Sequence, residues 1–501
     1  MKKTTRKSLL VLVVVGLVGS CGKSDRPTAE KILARIGPKT ITEGEFIRRA
    51  EYTIRPGYCK NDTYIHKKII LNSLIAEKLF ALEAGEDNEL TRNEEFQLFL
   101  QGRKEQAMRQ WLYYKDFYNK VEVDSQEVYR TYDLSRRTYK IAYYTIKDTS
   151  ILRTVEEKLA AGRTFEEIFR DLGGLQQIPE REVSWDRPEP DIIKQAFFNR
   201  PLQKDEVLGP LQVEKNFYLL VKVLGWRERV LLGGQQTRQR LQDVADGVQE
   251  FHAQQTYKQF VTRLMRGKTV RFNPTSFRKV VELMAPFYMK SAEDREKAFN
   301  KRFWQQKDGE QIPTTQEAEF EAILGEPFLT IDGEVWTVED FQRELAIHPL
   351  VFRKRKISRH EFAEQFKLAV ADLIRDKFVT KEAYKRGLDR APAVQQTVAM
   401  WKDYLLAQYA KNQLLVRLGK AEEFSRNYLK VIETVLNPVV DSLQQKYAPQ
   451  IEINTDLFEK IPITRIDMFV LQRNVPFGVV VPSFPLITTD NRLDYGRKMV
   501  K

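Results

Sequence analysis

One stretch of this chain is written twice, and the duplication limits what it can fold into more than any other feature. Ile36-Gly37-Pro38-Lys39-Thr40-Ile41-Thr42, followed by Glu43-Gly44-Glu45-Phe46-Ile47-Arg48-Arg49, aligns without a gap on Ile331-Asp332-Gly333-Glu334-Val335-Trp336-Thr337, followed by Val338-Glu339-Asp340-Phe341-Gln342-Arg343-Glu344. Each copy predicts a short strand, a turn, a second short strand and a helix. Thr42 and Thr337 stand at the N-caps, with Glu45 or Asp340 three residues on. That spacing predicts a capping box, in which hydroxyl and carboxylate satisfy amides left open at the helix end. Phe46 and Phe341 then start the buried face. The continuation repeats as well. Leu74-Ile75-Ala76-Glu77-Lys78 leads to Glu83-Ala84 as Leu373-Ile374-Arg375-Asp376-Lys377 leads to Glu382-Ala383, and a helix carrying Trp111 or Trp401 follows. Later, a long amphipathic stretch (residues 235–266 or 421–447) ends in a strand, Val270-Arg271-Phe272-Asn273 or Ile451-Glu452-Ile453-Asn454. Agreement at so many levels points to one unit used twice.

About a hundred residues, 135–229, interrupt the first copy and have no counterpart in the second. Tyr139-Lys140-Ile141-Ala142-Tyr143-Tyr144-Thr145-Ile146 has the aromatic and β-branched content of a strand. Residues 154–172 predict an amphipathic helix around Ala161-Gly162-Arg163-Thr164-Phe165, and residues 191–198 a short one. Gly209-Pro210-Leu211 predicts a turn into two closing strands that include Phe217-Tyr218-Leu219-Leu220-Val221-Lys222-Val223. The block has the length of one small α+β core.

The N-terminus predicts export. Lys2, Lys3, Arg6 and Lys7 precede an apolar run from Leu9 to Val18, and Gly19-Ser20-Cys21 closes it with small residues before a thiol. The run is about half of the roughly 20 residues a membrane span needs, so the segment is a signal peptide. Cys21 at the cut makes it a lipoprotein signal, and two or more acyl chains anchor stably. Gly22 lacks the Asp that often marks inner-membrane retention, which places the anchor in the outer membrane facing the periplasm. The net charge is +13; removing the four positive charges of the leader leaves about +9. In an exported protein such a balance favours anionic lipid or acidic polypeptides over nucleic acid as partners. With Cys21 lipidated, Cys59 stands alone, which excludes an internal disulfide and a cysteine metal site. His66, His252, His348 and His360 have no metal or triad spacing. No metal or other cofactor is expected.

The order of strand-turn-strand-helix, long helices, inserted α+β domain and returning helix with strand resembles the exported chaperones of the SurA and PrsA class, which carry parvulin-type prolyl isomerase domains. Within the insert the Ala-Gly-x-Thr-Phe turn, Ala196-Phe197-Phe198, Gly209-Pro210 and the closing Val221-Lys222-Val223 fall in that family's order. The resemblance implies an α+β multidomain chain, a mainly helical chaperone module duplicated around one parvulin-like domain. Its parts would be signal peptide 1–20, lipidated tether 21–31, first module 32–134, parvulin-like domain 135–229, returning helix and strand 230–290, linker 291–326, second module 327–461 and a β-rich tail 462–501. The apolar tail segment 475–486 would pack as a strand against the second module or dock a partner.

The departures from the family bear on activity. Tyr143 stands where the resemblance implies the first histidine of the isomerase site and Leu219 where it implies the second. Glu189 and Ile193 occupy the places of the Met and Phe of the proline pocket, beside Phe198. Prolyl isomerisation has a barrier of roughly 18–20 kcal/mol and needs a pocket that favours the twisted imide, with no nucleophile. An apolar filling of that pocket predicts weak or absent activity. The resemblance therefore implies a membrane-anchored holdase for unfolded exported polypeptides, with Tyr143, Glu189, Ile193, Phe198 and Leu219 as a degenerate cleft. Two other readings stand beside it: a working isomerase with a rearranged pocket, and a structural subunit of an envelope assembly, marked by one stoichiometric partner.

Overall fold

The computed structural model describes residues 31–173, 177–187, 189–214, 217–229, 233–289, 319–354, 357–464, 468 and 478–499. The signal peptide, Cys21, most of the 291–326 linker and residues 475–477 lie outside the described residues. The chain is mixed α+β. Its first module runs β1 (Ile32–Ile36), β2 (Lys39–Thr42), α1 (Glu43–Glu51), α2 (Tyr64–Ala84), α3 (Glu94–Asp116) and α4 (Ser125–Ser135). The insert follows as β3 (Arg137–Ile146), α5 (Thr149–Ala160), α6 (Phe165–Asp171), β4 (Glu180–Ser184), α7 (Asp191–Phe198), β5 (Val207–Glu214) and β6 (Phe217–Glu228). Then come α8 (Gly234–Met265), β7 (Val270–Phe272) and α9 (Pro274–Tyr288). The second module comprises β8 (Pro327–Ile331), β9 (Glu334–Thr337), α10 (Val338–Ile347), α11 (Phe362–Lys385), α12 (Pro392–Arg417), α13 (Asn437–Tyr447), β10 (Ile451–Ile453) and α14 (Thr455–Lys460), with β11 (Arg497–Lys498) at the end.

The repeated hairpins turn by different chemistry. Asp332 and Gly333 both take positive φ, 51° and 90°, the requirement of a two-residue type I′ turn. In the first copy only Gly37 does, at 56°, since the Pro38 ring holds φ at about −65°. Both helices after the hairpins are capped by threonine. Thr337 and Asp340 form the full capping box, and Thr42 Oγ1 accepts from the Glu45 N–H at 3.0 Å. The Glu45 carboxylate also receives the Lys78 ammonium at 2.8 Å.

The two repeated hairpins are each completed by a third strand from elsewhere in the chain. β10 pairs with β1, Ile36 opposite Ile451. β7, read from the sequence as the returning strand of the first module, pairs with β8, Ile331 opposite Val270. Ile36 aligns with Ile331 and Ile451 with Val270, so the same register is made twice. Helices follow the strands: α2 packs on α12 and α13, while α11 packs on α3 and α8. One lobe therefore joins β1, β2 and α2 to α12, α13 and β10, and the other joins β7 and α9 to β8, β9 and α11. One apolar core centres on Phe46, Leu74, Leu406 and Ile453, the other on Phe328, Phe341, Phe366 and Val280.

Two long helices expected from periodicity are broken. Residues 154–172 form α5 and α6, separated where Gly162 takes φ 74° and Thr164 opens α6 with a capping box to Glu167. Residues 421–447 break at Asn427, which caps a new turn, and widen into a π-turn over Ile432–Leu436 before α13. The tail differs more. Among the described residues only β11 is strand, parallel to β10; the rest of 478–499 is irregular, extended chain packed on α2 and α13 of the first lobe. Phe484 and Ile487 enter that lobe's core.

Candidate functional site

The insert is a four-stranded sheet in the order β4-β3-β6-β5. Alternation along β3 and β6 sends Tyr139, Ile141 and Tyr143 with Leu219, Val221 and Val223 to one face, and Ala142, Tyr144 and Ile146 with Leu220 to the other. α5 and α6 cover the second face with Val155, Phe165 and Ile168. α7 covers the first with Ile193, Phe197 and Phe198. Gly209-Pro210, expected as a turn, is a bulge inside β5. Gly209 has φ 102°, and a Cβ there would stand 2.6 Å from the Leu219 carbonyl oxygen, so only glycine lets β5 lie this close to β6.

Four of the five residues expected in a cleft meet in a filled interior. Ile193, Phe198 and Leu219 are buried and Tyr143 is half-buried, all in one apolar cluster with Tyr139 and Val221. Tyr143 lies opposite Val221, and Leu219 opposite Thr145. Glu189, also buried, is spent on a two-pronged ion pair with Arg181 of β4, its second bond 3.1 Å long. The positions where the resemblance implies a proline pocket are thus occupied by packed side chains and a satisfied carboxylate.

A cavity of about 120 Å³, lined in part by Phe198, lies where the insert meets the helices, between α4, α7 and α8. Asp191, Lys194 and Gln195 project into it from α7, Glu127 and Thr131 from α4, and Glu250, Phe251 and Gln254 from α8. Trp185, after β4, forms its wall: it meets Phe198 edge-on at 5.5 Å, and a Cβ on Gly247 of α8 would come within 2.8 Å of its ring. Glu250 accepts from the Tyr113 hydroxyl at 2.8 Å and the Gln254 amide at 2.9 Å. Burial nevertheless raises its carboxyl above the ordinary value. Burial lowers the Lys194 ammonium despite Asp191, Glu189 and Asp186 nearby, and that ammonium sits 5.1 Å from the centre of the Trp185 ring. His252 and Glu127 are in contact at 2.9 Å. The cavity is thus lined by three carboxyl groups, Glu127, Asp191 and Glu250, and one amine, Lys194. The sequence marks only one side of it: Asp191 and Lys194, three apart, share a face of α7, whereas nothing local ties them to Glu250.

A second set of polar groups is buried between the copies. Arg49 and Glu77, both fully buried, make two bonds of 2.8 and 2.7 Å. Lys78 reaches Glu45 at 2.8 Å and Asp403 at 3.0 Å, and Lys39 reaches Asp403 at 2.6 Å. Burial would raise the Asp403 carboxyl, but Lys78 and Lys39 hold it below the ordinary value. Asp376, the counterpart of Glu77, touches His348 at 3.2 Å and Arg375 at 2.7 Å. The hydrogen bond from His348, with Arg375 and Arg109, holds the Asp376 carboxyl below the ordinary value against burial. Cys59 is buried, which pushes its thiol up to about 12. Among the described residues no group of three or more His, Cys, Asp or Glu is placed to hold a metal, and no helix is long and apolar enough to cross a membrane.

No protein-family model matches the chain, and no curated protein and no solved structure matches it.

Proposed function

We propose that the chain is a lipid-anchored extracytoplasmic holdase for unfolded exported polypeptides, attached through Cys21 to the outer membrane, and that its parvulin-like insert no longer isomerises proline. The observation that carries this reading is the packing of Tyr143, Ile193, Phe198 and Leu219 into one apolar cluster. Isomerisation needs a desolvated hollow that receives a proline ring and favours its twisted imide over the planar one. A face filled by its own side chains offers no such preference. Binding of unfolded chains asks less: apolar surface and backbone hydrogen-bonding groups suffice. Large apolar side chains stand exposed on both lobes, Ile54 and Ile65 on one and Val351 on the other.

The test uses the soluble chain beginning at Gly22. It is expected to suppress aggregation of a denatured outer-membrane protein at stoichiometric amounts, and to leave cis/trans exchange of a proline peptide at its spontaneous rate. Absence of suppression sinks the holdase reading; acceleration that disappears in Tyr143→Ala or Ile193→Ala restores the isomerase.

A further inference from the structure

Residues 478–499 cross the first lobe as a strap that is irregular up to its last residues, and four side chains bond to its backbone carbonyls. Arg49 donates to the Ser483 carbonyl at 3.0 Å, Asn72 to that of Asp490 at 2.8 Å, Ser73 to that of Thr488 at 3.4 Å and Gln110 to that of Gly478 at 2.5 Å. At its end the strap becomes a strand: Arg497 and Lys498 pair in parallel with Glu452 and Ile453 of β10, and the Met499 N–H donates to the Ile453 carbonyl at 2.9 Å. Gly496 lets it close on the sheet, since a Cβ there would lie 2.8 Å from the Ile451 side chain.

We propose that the channel under the strap is a binding site for extended polypeptide segments, that the C-terminal strap is its resident occupant, and that clients enter by displacing it. The proposal rests on the holdase reading and adds where the client sits. Carbonyls and strand edges belong to every polypeptide, so a channel that reads them is indifferent to sequence, and adding a strand to an exposed sheet edge is a general mode of peptide capture. The channel is also built before any client arrives. Arg49 is neutralised by Glu77, and Asn72, fully buried, accepts from Gln444 at 2.7 Å and from the strap's Tyr495 hydroxyl at 2.6 Å while donating to Asp490. Such buried donors are costly to leave unmet. The strap therefore leaves by exchange with another backbone, and an empty channel is disfavoured. The strap adds side-chain anchors of its own: Phe484 and Ile487 in the apolar core, Thr488 and Thr489 on Asn437, Arg492 on Asp441, Tyr495 on Asn72 and Lys498 on Asp456.

The test locks the strap. Thr488 Oγ1 lies 2.8 Å from Asn437 Oδ1 of α13, so Asn437→Cys combined with Thr488→Cys in the full-length chain puts one thiol on the strap beside one on α13, and closure of the bond on oxidation is confirmed by the loss of two free thiols. The probe is reduced, carboxymethylated α-lactalbumin, which stays unfolded, followed by fluorescence anisotropy. Oxidation is expected to weaken its binding at least tenfold, and reductant to restore it. Equal affinity in both states overturns the proposal and leaves the holdase reading standing. No binding in either state overturns both. Ile487→Ala alters the strap and not the channel, and is expected to tighten client binding several-fold; unchanged or weaker binding counts against displacement without depending on the cysteine pair.

Discussion

Lys411 is the most exposed to test of the buried charges. It lies on α12 among the groups that join the two copies, with its ammonium 4.8 Å from the Phe424 ring centre and, among the described residues, no ion-pair partner. Burial pushes it down to about 8, with Glu77 pulling the other way. An unfolded lysine titrates at about 10.4. Between those values the unfolded chain holds a proton that the folded chain has released, so folding stability rises with pH across that window. Lys411→Met is expected to be more stable than the parent at pH 7, by on the order of 2 kcal/mol, and the gap should narrow toward pH 10. Urea midpoints at the two pH values measure it. Arg49 and Glu77 present the opposite case, a pair whose charges are met. Glu77→Gln leaves Arg49 buried without its counter-charge and is expected to cost about 3–5 kcal/mol. Arg49→Met with Glu77→Leu should cost much less, and equal losses in the single and double variants would contradict the pairing argument.

Among elements, α3 crosses the end of α10 closely. Gly102, midway along α3, faces the C-terminal end of α10, and a Cβ there would stand 2.1 Å from the Ile347 carbonyl oxygen. Glycine in a helix interior ordinarily costs about 1 kcal/mol relative to alanine, so Gly102→Ala would stabilise a free helix. Here the obstacle is backbone that cannot rotate aside, and the substitution is expected to destabilise by about 2 kcal/mol or more. A raised melting temperature for Gly102→Ala would show that the helices can part without cost. The breaks at Gly162 and Asn427 belong to the same scale: periodicity along residues 154–172 and 421–447 is helical throughout, and an αL glycine or a capping asparagine ends the helix locally without disturbing the apolar stripe. Composition patterns detect the stripe and pass over the interruption.

At the scale of the whole molecule, the pairing of early elements with late ones predicts that neither half of the chain completes its lobe alone. A cut between residues 300 and 310 separates β1, β2 and α2 from β10, α12 and α13, and separates β7 and α8 from β8 and α11. The two halves expressed together are expected to purify as a one-to-one complex, and each expressed alone to precipitate; a monomeric half with its lobe intact would contradict that pairing. Part of the candidate site was expected as a set of residues from the family resemblance: Tyr143, Ile193, Phe198 and Leu219 lie in one apolar cluster. That they pack together, and that a polar cavity lies beside them against α8, depends on side chains far apart in the chain, Glu127, Lys194 and Glu250, whose meeting leaves no local mark. The sequence by itself determined the strands of the two repeated hairpins, the turn inside each and the threonine caps that follow, because each rests on interactions within a few residues. That β10 completes the sheet of β1 and β2, and β7 that of β8 and β9, was decided only in the tertiary structure. Both hairpins offer the same register to a third strand, so local energies do not distinguish the two, and the choice goes with the packing of α12 and α13 on α2 and of α3 and α8 on α11.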